Sequence, residues 1–156
     1  MTEALVLTGA SRIVVDAAVE TGGDLVVRNG RVCAIGHGSA PVADGTEFIE
    51  AVDVGGAVIT PGLVNAHHHL LQSAFRTLPG TRGVPMARWL QVMGEAYRAR
   101  RVDPELTGLG ARVGIAEALL SGVTTVADHH LTWPEGADTV GMARAAADAA
   151  RELGGR

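Results

Sequence analysis

The first third of the chain alternates between hydrophobic and polar residues in short runs, a pattern typical of β-strands with one buried face. Two such runs, residues 25–28 and 31–35, flank Asn29-Gly30, a dipeptide that supplies the positive φ angles of a two-residue type I′ turn. Further strand candidates are residues 4–7, 13–15 and 48–52. We therefore predict a small antiparallel sheet, with Cys33 as a small core residue of one strand.

Beyond residue 85 the hydrophobic residues recur every three or four positions, which is the spacing of amphipathic helices. Aspartates at positions 103 and 138 are helix start signals, and glycines at 122 and 154 are stop signals. The stripes predict three helices: Met86, Leu90, Met93 and Tyr97; Leu106, Leu109, Val113, Ala116 and Leu120; and Met142, Ala146, Ala149 and Leu153.

Two apolar runs stand between these regions and end in histidines. The first, residues 57–66, precedes His67-His68-His69, and the second, residues 123–127, precedes Asp128-His129-His130. Each run is followed by a helical pattern. Strands that alternate with helices are typical of a parallel β/α barrel, whose chemistry lies at the carboxyl ends of its strands.

The three consecutive histidines have the spacing of a metal site on a strand. Successive side chains of a strand point to opposite faces, so His67 and His69 share one face and His68 takes the other. Neutral imidazole is a good ligand for zinc or iron. A catalytic zinc usually has about three protein ligands and a water, so these two histidines predict part of a site for one divalent metal.

Composition and charge narrow the function. The chain has 156 residues and a net charge of -4, and it has no basic excess that would favour a nucleic acid polymer as partner. All 13 basic residues are arginines, which excludes a Schiff-base lysine or a P-loop lysine within this chain. We find no membrane span and no secretory signal in the sequence, and one cysteine permits no internal disulfide, so we expect a cytoplasmic protein.

The sequence resembles the amidohydrolase superfamily in two segments, residues 61–70 and residues 121–128, which stand in the expected order and spacing. Within it, the chain looks like the branch of cytosine, guanine and 8-oxoguanine deaminases and the atrazine hydrolases. The resemblance implies an α/β fold in which residues 1–58 form a β-sandwich segment and residues 59–156 form the first two β/α units of a (β/α)8 TIM-type barrel. It also implies that His67 and His69 are the first-strand ligands of one zinc or iron ion.

The resemblance further suggests which side chains contact a substrate. It places Gln72 where a side-chain amide can reach a substrate ring, and it matches Asp128-His129 to the pair that ends the second barrel strand. His129 can be a pocket residue or an ordinary polar group at a strand end. Asp128 can orient an imidazole or cap a loop. Of the two tryptophans, Trp133 lies in the loop after the second strand and is the better candidate for a pocket wall.

The implied reaction is hydrolysis of a carbon-nitrogen bond other than a peptide bond. The leading expectation is deamination of a small purine-, pyrimidine- or triazine-like ring, as in 8-oxoguanine deaminase. A triazine chlorohydrolase or an imidazolone-type ring hydrolase of the same fold is an alternative. A non-catalytic fragment or subunit that supplies strands to a partner chain is another.

The resemblance also indicates what is missing. In the family, the remaining metal ligands and the catalytic acid/base lie on later barrel strands, and a full barrel needs about 250 residues. Only 96 residues run from position 61 to position 156. We therefore expect no catalytic acid/base in this segment. We expect the chain alone to be inactive and poorly stable unless a downstream segment or a second chain completes it, and the complete enzyme to be a homo-oligomer.

Overall fold

The computed structural model describes residues 2–16, 20–38 and 47–156. The chain divides into two compact units, Met1–Pro61 and Gly62–Arg156. Within the described residues, no helix is both long and apolar enough to cross a membrane.

The first unit is built on one mixed sheet. Its strands are β1 (Thr2–Val14), β2 (Glu20–Arg28), β3 (Arg31–Gly36), β4 (Glu47–Asp53) and β5 (Val58–Ile59). The order across the sheet is β3-β2-β1-β4, and β5 also pairs with β1. Its core contains the side chains of Ala10, Ile13 and Leu25.

The predicted hairpin is confirmed, and two other expectations for the sheet are wrong. Asn29 and Gly30 have φ angles of 50° and 71°, as a type I′ turn requires. However, β1 pairs in parallel with β4 and β5, so the sheet is not wholly antiparallel. Turn residues indicate pairing only between neighbours along the chain. The candidates 4–7 and 13–15 also belong to one strand, β1, whose pairing with β2 is irregular around Gly9, where φ is 77°.

The expectation for Cys33 is wrong as well. The side chain is exposed, on a strand at the edge of the sheet. Val26 pairs with Ala34 while Val27 pairs with Val32, so Cys33 is an extra residue between two paired positions. Such a bulge interrupts the alternation of faces on which the prediction rested.

The second unit places two parallel strands beside helices. Its elements are β6 (Leu63–His68), a short 3-10 helix (Leu70–Phe75), α1 (Met86–Ala99), α2 (Pro104–Leu120), β7 (Val123–Asp128) and α3 (Thr139–Leu153). β6 pairs with β7 from Leu63 opposite Val123 to His68 opposite Asp128, so the two carboxyl ends lie together. The backbone of Arg156 also bonds to β7, donating to the Thr124 carbonyl at 3.0 Å and accepting from the Val126 amide at 2.7 Å.

The predicted helix ends are confirmed. The Asp103 carboxylate accepts a hydrogen bond from the Leu106 amide at 2.9 Å, and the Asp138 carboxylate accepts one from the Gly141 amide at 2.8 Å. Each bond satisfies a backbone donor that a helix N-terminus otherwise leaves without a partner. Gly154 ends α3 with a φ of 82°, in the left-handed region that glycine adopts readily.

The predicted buried stripe of α2 is wrong. The helix packs through a face rich in small residues, and Leu109, Val113 and Leu120 are exposed, Leu120 to 89%. A Cβ on Gly114 would lie 2.8 Å from Leu70 Cδ2, and one on Gly110 would lie 3.2 Å from the Leu70 carbonyl. The close approach of the 3-10 helix therefore leaves no room for the larger side chains on this face. Its buried residues are Thr107, Gly108, Gly110, Ala111, Gly114, Ile115 and Ala118.

Candidate metal centre

His67 and His69 meet at the carboxyl end of β6. The Nε2 atoms of the two rings are 3.2 Å apart, and the rings stand edge to face with an interplanar angle of 85°. Two imidazoles on one tetrahedral zinc, with Zn–N bonds of about 2.05 Å, bring their nitrogens to about 3.3 Å from each other. The pair therefore fits as two ligands of one metal ion. The backbone of His67 is fixed by its N–H, which donates to Asn65 Oδ1 at 3.0 Å.

The tautomer of His69 follows from its second nitrogen. Nδ1 lies 2.6 Å from the backbone oxygen of His129. A carbonyl oxygen can only accept, so Nδ1 carries the proton and Nε2 of the neutral ring keeps its lone pair for a metal. An imidazole whose other nitrogen donates to a carbonyl is the usual state of a histidine ligand.

The pair is not a complete site in the part of the chain that the structure describes. No three histidine, cysteine, aspartate or glutamate side chains come together there in a group that could hold a metal ion. The ring of His129 stacks on His67 with centroids 4.4 Å apart, and its Nε2 faces the Ala66 carbonyl at 3.2 Å. That nitrogen is thus turned to the backbone.

His68 lies apart from the pair, as strand alternation predicts. Its Nδ1 is buried and lacks a hydrogen-bond partner among the described residues. The ring lies close to α2, with Cε1 3.5 Å from the position of a Cβ on Gly114. On the same helix, Glu117 pairs with Arg76. The hydrogen bond from Arg76 lowers the pKa of Glu117, and the charges of Arg76 and His68 act in the same direction.

Asp128 connects the two strand ends through the backbone. Its Oδ1 accepts a hydrogen bond from the Leu70 amide at 2.9 Å, directly after His69. Its Oδ2 is 3.9 Å from His130 Nδ1. Asp128 therefore holds the chain directly after His69, and its imidazole neighbour is His130.

Two cavities adjoin the histidine pair. One, of about 460 Å³, is lined by all three histidines of the motif together with Gln72 and Trp89. The other, of about 210 Å³, is lined by His69, Gln72, Trp89, Tyr97 and His129, among others. Gln72 and Trp89 thus line both.

The predicted pocket residues are distributed unequally between these cavities. Gln72, His129 and Asp128 line at least one of them, but Trp133 lines neither. Trp133 is 47% exposed, and its ring packs on His130 with centroids 4.4 Å apart. The sequence favours Trp133 because it lies in the loop after the second strand. The place of Trp89 beside the histidines depends on the packing of α1, which no local pattern shows.

Tyr97 and Gln72 line the same cavity, and their contact can be tested by spectroscopy because Tyr97 is the only tyrosine in the sequence. Burial raises its pKa above the ordinary value of 10.0, and a hydrogen bond with Gln72 opposes this shift. We expect Gln72→Ala to raise the pKa further, which an ultraviolet absorbance titration of the phenolate would measure. Because folding raises the pKa of this phenol, the stability associated with Tyr97 is fully present below the unfolded pKa and is lost as pH rises from there through the folded pKa.

The control for that titration is Gln91→Ala, which removes an exposed glutamine of α1, the helix that carries Tyr97. Its titration should match the unchanged protein. A Gln72→Ala curve that shifts to lower pH would show that Gln72 does not stabilise the phenolate.

Parallel strands with histidines at their carboxyl ends, in a chain whose first unit is β-rich, define an α/β protein of the β/α-barrel type. The sequence model of the Amidohydrolase family matches residues 58–156, and the chain belongs to that family. The predicted fold class and the resemblance are both confirmed.

Known proteins place the chain in the expected branch. It is 37% identical to an 8-oxoguanine deaminase of Pseudomonas aeruginosa over 120 residues, which are 76% of this chain and 25% of that protein. It is 33% identical to an isoxanthopterin deaminase from an unknown prokaryotic organism, over 85% of this chain and 26% of that protein.

A solved structure extends the likeness to the fold. The atrazine chlorohydrolase TrzN of Arthrobacter aurescens, complexed with zinc, has a TM-score of 0.80 and 30% identity to this chain. The match covers 97% of this chain and 34% of TrzN. The chain therefore spans about a quarter of the curated relatives and a third of this solved one.

Proposed function

We propose that the protein is a metal-dependent hydrolase of carbon-nitrogen bonds other than peptide bonds, and that it deaminates a purine-, pyrimidine- or triazine-like ring. The observation that carries the proposal is the pair of imidazole Nε2 atoms 3.2 Å apart, beside a cavity. The 8-oxoguanine and isoxanthopterin deaminases among its relatives support the class of substrate.

His67 and His69 would hold one divalent metal, zinc or iron, since both metals accept imidazole. When bound, such an ion lowers the pKa of a coordinated water to about 7 and so supplies hydroxide near neutral pH. The proton on His69 Nδ1 keeps that ring oriented, because it donates to the His129 carbonyl at 2.6 Å. Further ligands and the acid/base that protonates the leaving amine would come from outside the described residues.

The cavity beside the pair supplies the proposed substrate contacts. Its volume of about 460 Å³ is in the range of small-molecule sites. The Gln72 amide can both donate to and accept from ring nitrogen and oxygen atoms. Trp89 offers a flat apolar surface on which a ring can stack. We retain Trp133 as a second candidate wall, because with Asp128, His129 and His130 it lines a separate cavity of about 700 Å³.

A triazine chlorohydrolase is the second candidate, favoured by the TM-score of 0.80 to TrzN. The two activities differ in the bond that breaks at the ring carbon, so their products separate them. A deaminase releases ammonia, and a chlorohydrolase releases chloride.

The test uses the protein expressed from its complete reading frame and loaded with zinc or iron. We expect ammonia from 8-oxoguanine or isoxanthopterin, and chloride from atrazine if the second candidate is right. A folded, metal-loaded protein that releases neither product from these compounds would contradict both candidates and favour a non-catalytic role.

We further propose that the 156-residue chain by itself holds metal weakly and is inactive. Two imidazoles are fewer than the three protein ligands of a typical catalytic zinc. Equilibrium dialysis of this chain against zinc measures the affinity directly. Tight retention of one zinc by the isolated chain would contradict the proposal.

A further inference from the structure

The structure assigns His129 as a positioning residue for both metal histidines. The inference rests on the proposed metal-dependent function, and it concerns how the chain arranges His67 and His69 before any metal binds. His129 acts on each of them through a different part of itself, its ring for one and its carbonyl for the other.

The ring of His129 orients His67. The two rings are stacked, with centroids 4.4 Å apart and an interplanar angle of 16°. His67 is exposed at a strand end, where an unsupported side chain would sample several rotamers. Stacking on His129 restricts the ring to the rotamer that places its Nε2 3.2 Å from His69 Nε2.

The carbonyl of His129 orients His69. Because it accepts the Nδ1 proton at 2.6 Å, it selects the tautomer whose Nε2 lone pair is free. The carbonyl is itself fixed, since the amide of His129 donates to the His68 carbonyl at 2.7 Å. This contact belongs to the backbone, so a substitution at position 129 leaves it in place.

His129 is not a third ligand in this arrangement. Its Nε2 lies 3.2 Å from the Ala66 carbonyl, which can only accept, so this nitrogen carries a proton and has no lone pair to offer. The same contact stops the ring from turning. The ring of His129 that stacks on His67 is thus fixed by the backbone of Ala66, a residue of β6.

The two contacts predict separable effects of substitution. His129→Ala removes the stack and should weaken zinc binding about 10- to 100-fold, the usual cost of losing a group that orients a ligand. His129→Phe keeps a flat ring for His67 and should recover most of the affinity. In both variants His69 should keep its Nδ1 proton, which long-range ¹⁵N–¹H correlation spectra of the histidines report.

The measurement is a competition for zinc between a chromophoric chelator and the protein expressed from its complete reading frame, with circular dichroism as a check of folding. Unchanged zinc affinity in a folded His129→Ala protein would overturn the inference. Equal loss in His129→Ala and His129→Phe would overturn it too. Neither readout requires turnover, so an absence of hydrolytic activity contradicts the proposed function and leaves this inference standing.

Discussion

Replacing His69 with alanine is expected to remove the bound metal and the hydrolytic activity together. The substitution deletes one of the two nitrogens that face each other at 3.2 Å, and His67 alone cannot orient an ion. Changing a group outside the ligand shell costs about 10- to 100-fold in metal affinity or activity, so loss of the ligand itself should exceed about 100-fold. Elemental analysis measures the metal content, and assays with the heterocycle that the protein hydrolyses measure kcat/KM. Both use the protein expressed from its complete reading frame.

The matched control for this experiment is His37→Ala. His37 is an exposed histidine of the first compact unit, and it should leave metal content and kcat/KM unchanged. His67→Ala should reproduce the effect of His69→Ala. If either variant retains a full equivalent of metal, His67 and His69 are not the pair of metal ligands that we propose.

Replacing Gly62 with alanine is expected to separate β6 from β7. A Cβ at this position would lie 2.2 Å from Thr124 Oγ1, 2.4 Å from its Cγ2 and 2.8 Å from its Cβ. A rotamer change of Thr124 moves the first two atoms but leaves the third in place, so the backbone has to shift. Overpacking of this kind costs about 1–3 kcal/mol, which chemical denaturation would measure as a lower free energy of unfolding.

Two further variants make the result specific. Thr124→Gly removes all three clashing atoms, so in combination with Gly62→Ala it should show a favourable coupling free energy in a double-mutant cycle. Gly94→Ala is the control, since its new Cβ lies within α1 and would meet only Arg98 Nη1 at 3.7 Å. That variant should be neutral or stabilising, because alanine is the better helix former. A Gly62→Ala protein as stable as the unchanged chain would show that the strands adjust freely.

The histidine pair is accessible to sequence reasoning because it depends only on strand geometry. A period of two puts His67 and His69 on one face wherever the strand lies. The contribution of His129 depends on a pairing between residues 60 positions apart, in which the end of β7 brings a carbonyl to His69. No local sequence pattern predicts a contact that a backbone carbonyl oxygen makes. The position of Trp89 is non-local in the same way, because it depends on how α1 packs.

The elements of the fold also differ in whether the local sequence predicts them. The Asn29-Gly30 turn and the aspartate caps are local, and the structure contains them as predicted. The parallel addition of β4 to β1 is non-local, and no turn residue encodes it. In α2, the hydrophobic pattern predicts that the leucines are buried, but side-chain volume decides which face of the helix packs against its neighbours. Glycines at 110 and 114 allow the 3-10 helix to approach more closely than a leucine would permit.

The bulge at Cys33 has a practical consequence for labelling. The exposed thiol is the only one in a chain that also has no lysine, so a maleimide dye would attach at one defined position. That position lies in the first compact unit, and the histidines at the ends of β6 and β7 all lie in the second. A fluorophore on Cys33 would therefore report on the β-rich unit without modifying any group proposed to bind metal or substrate.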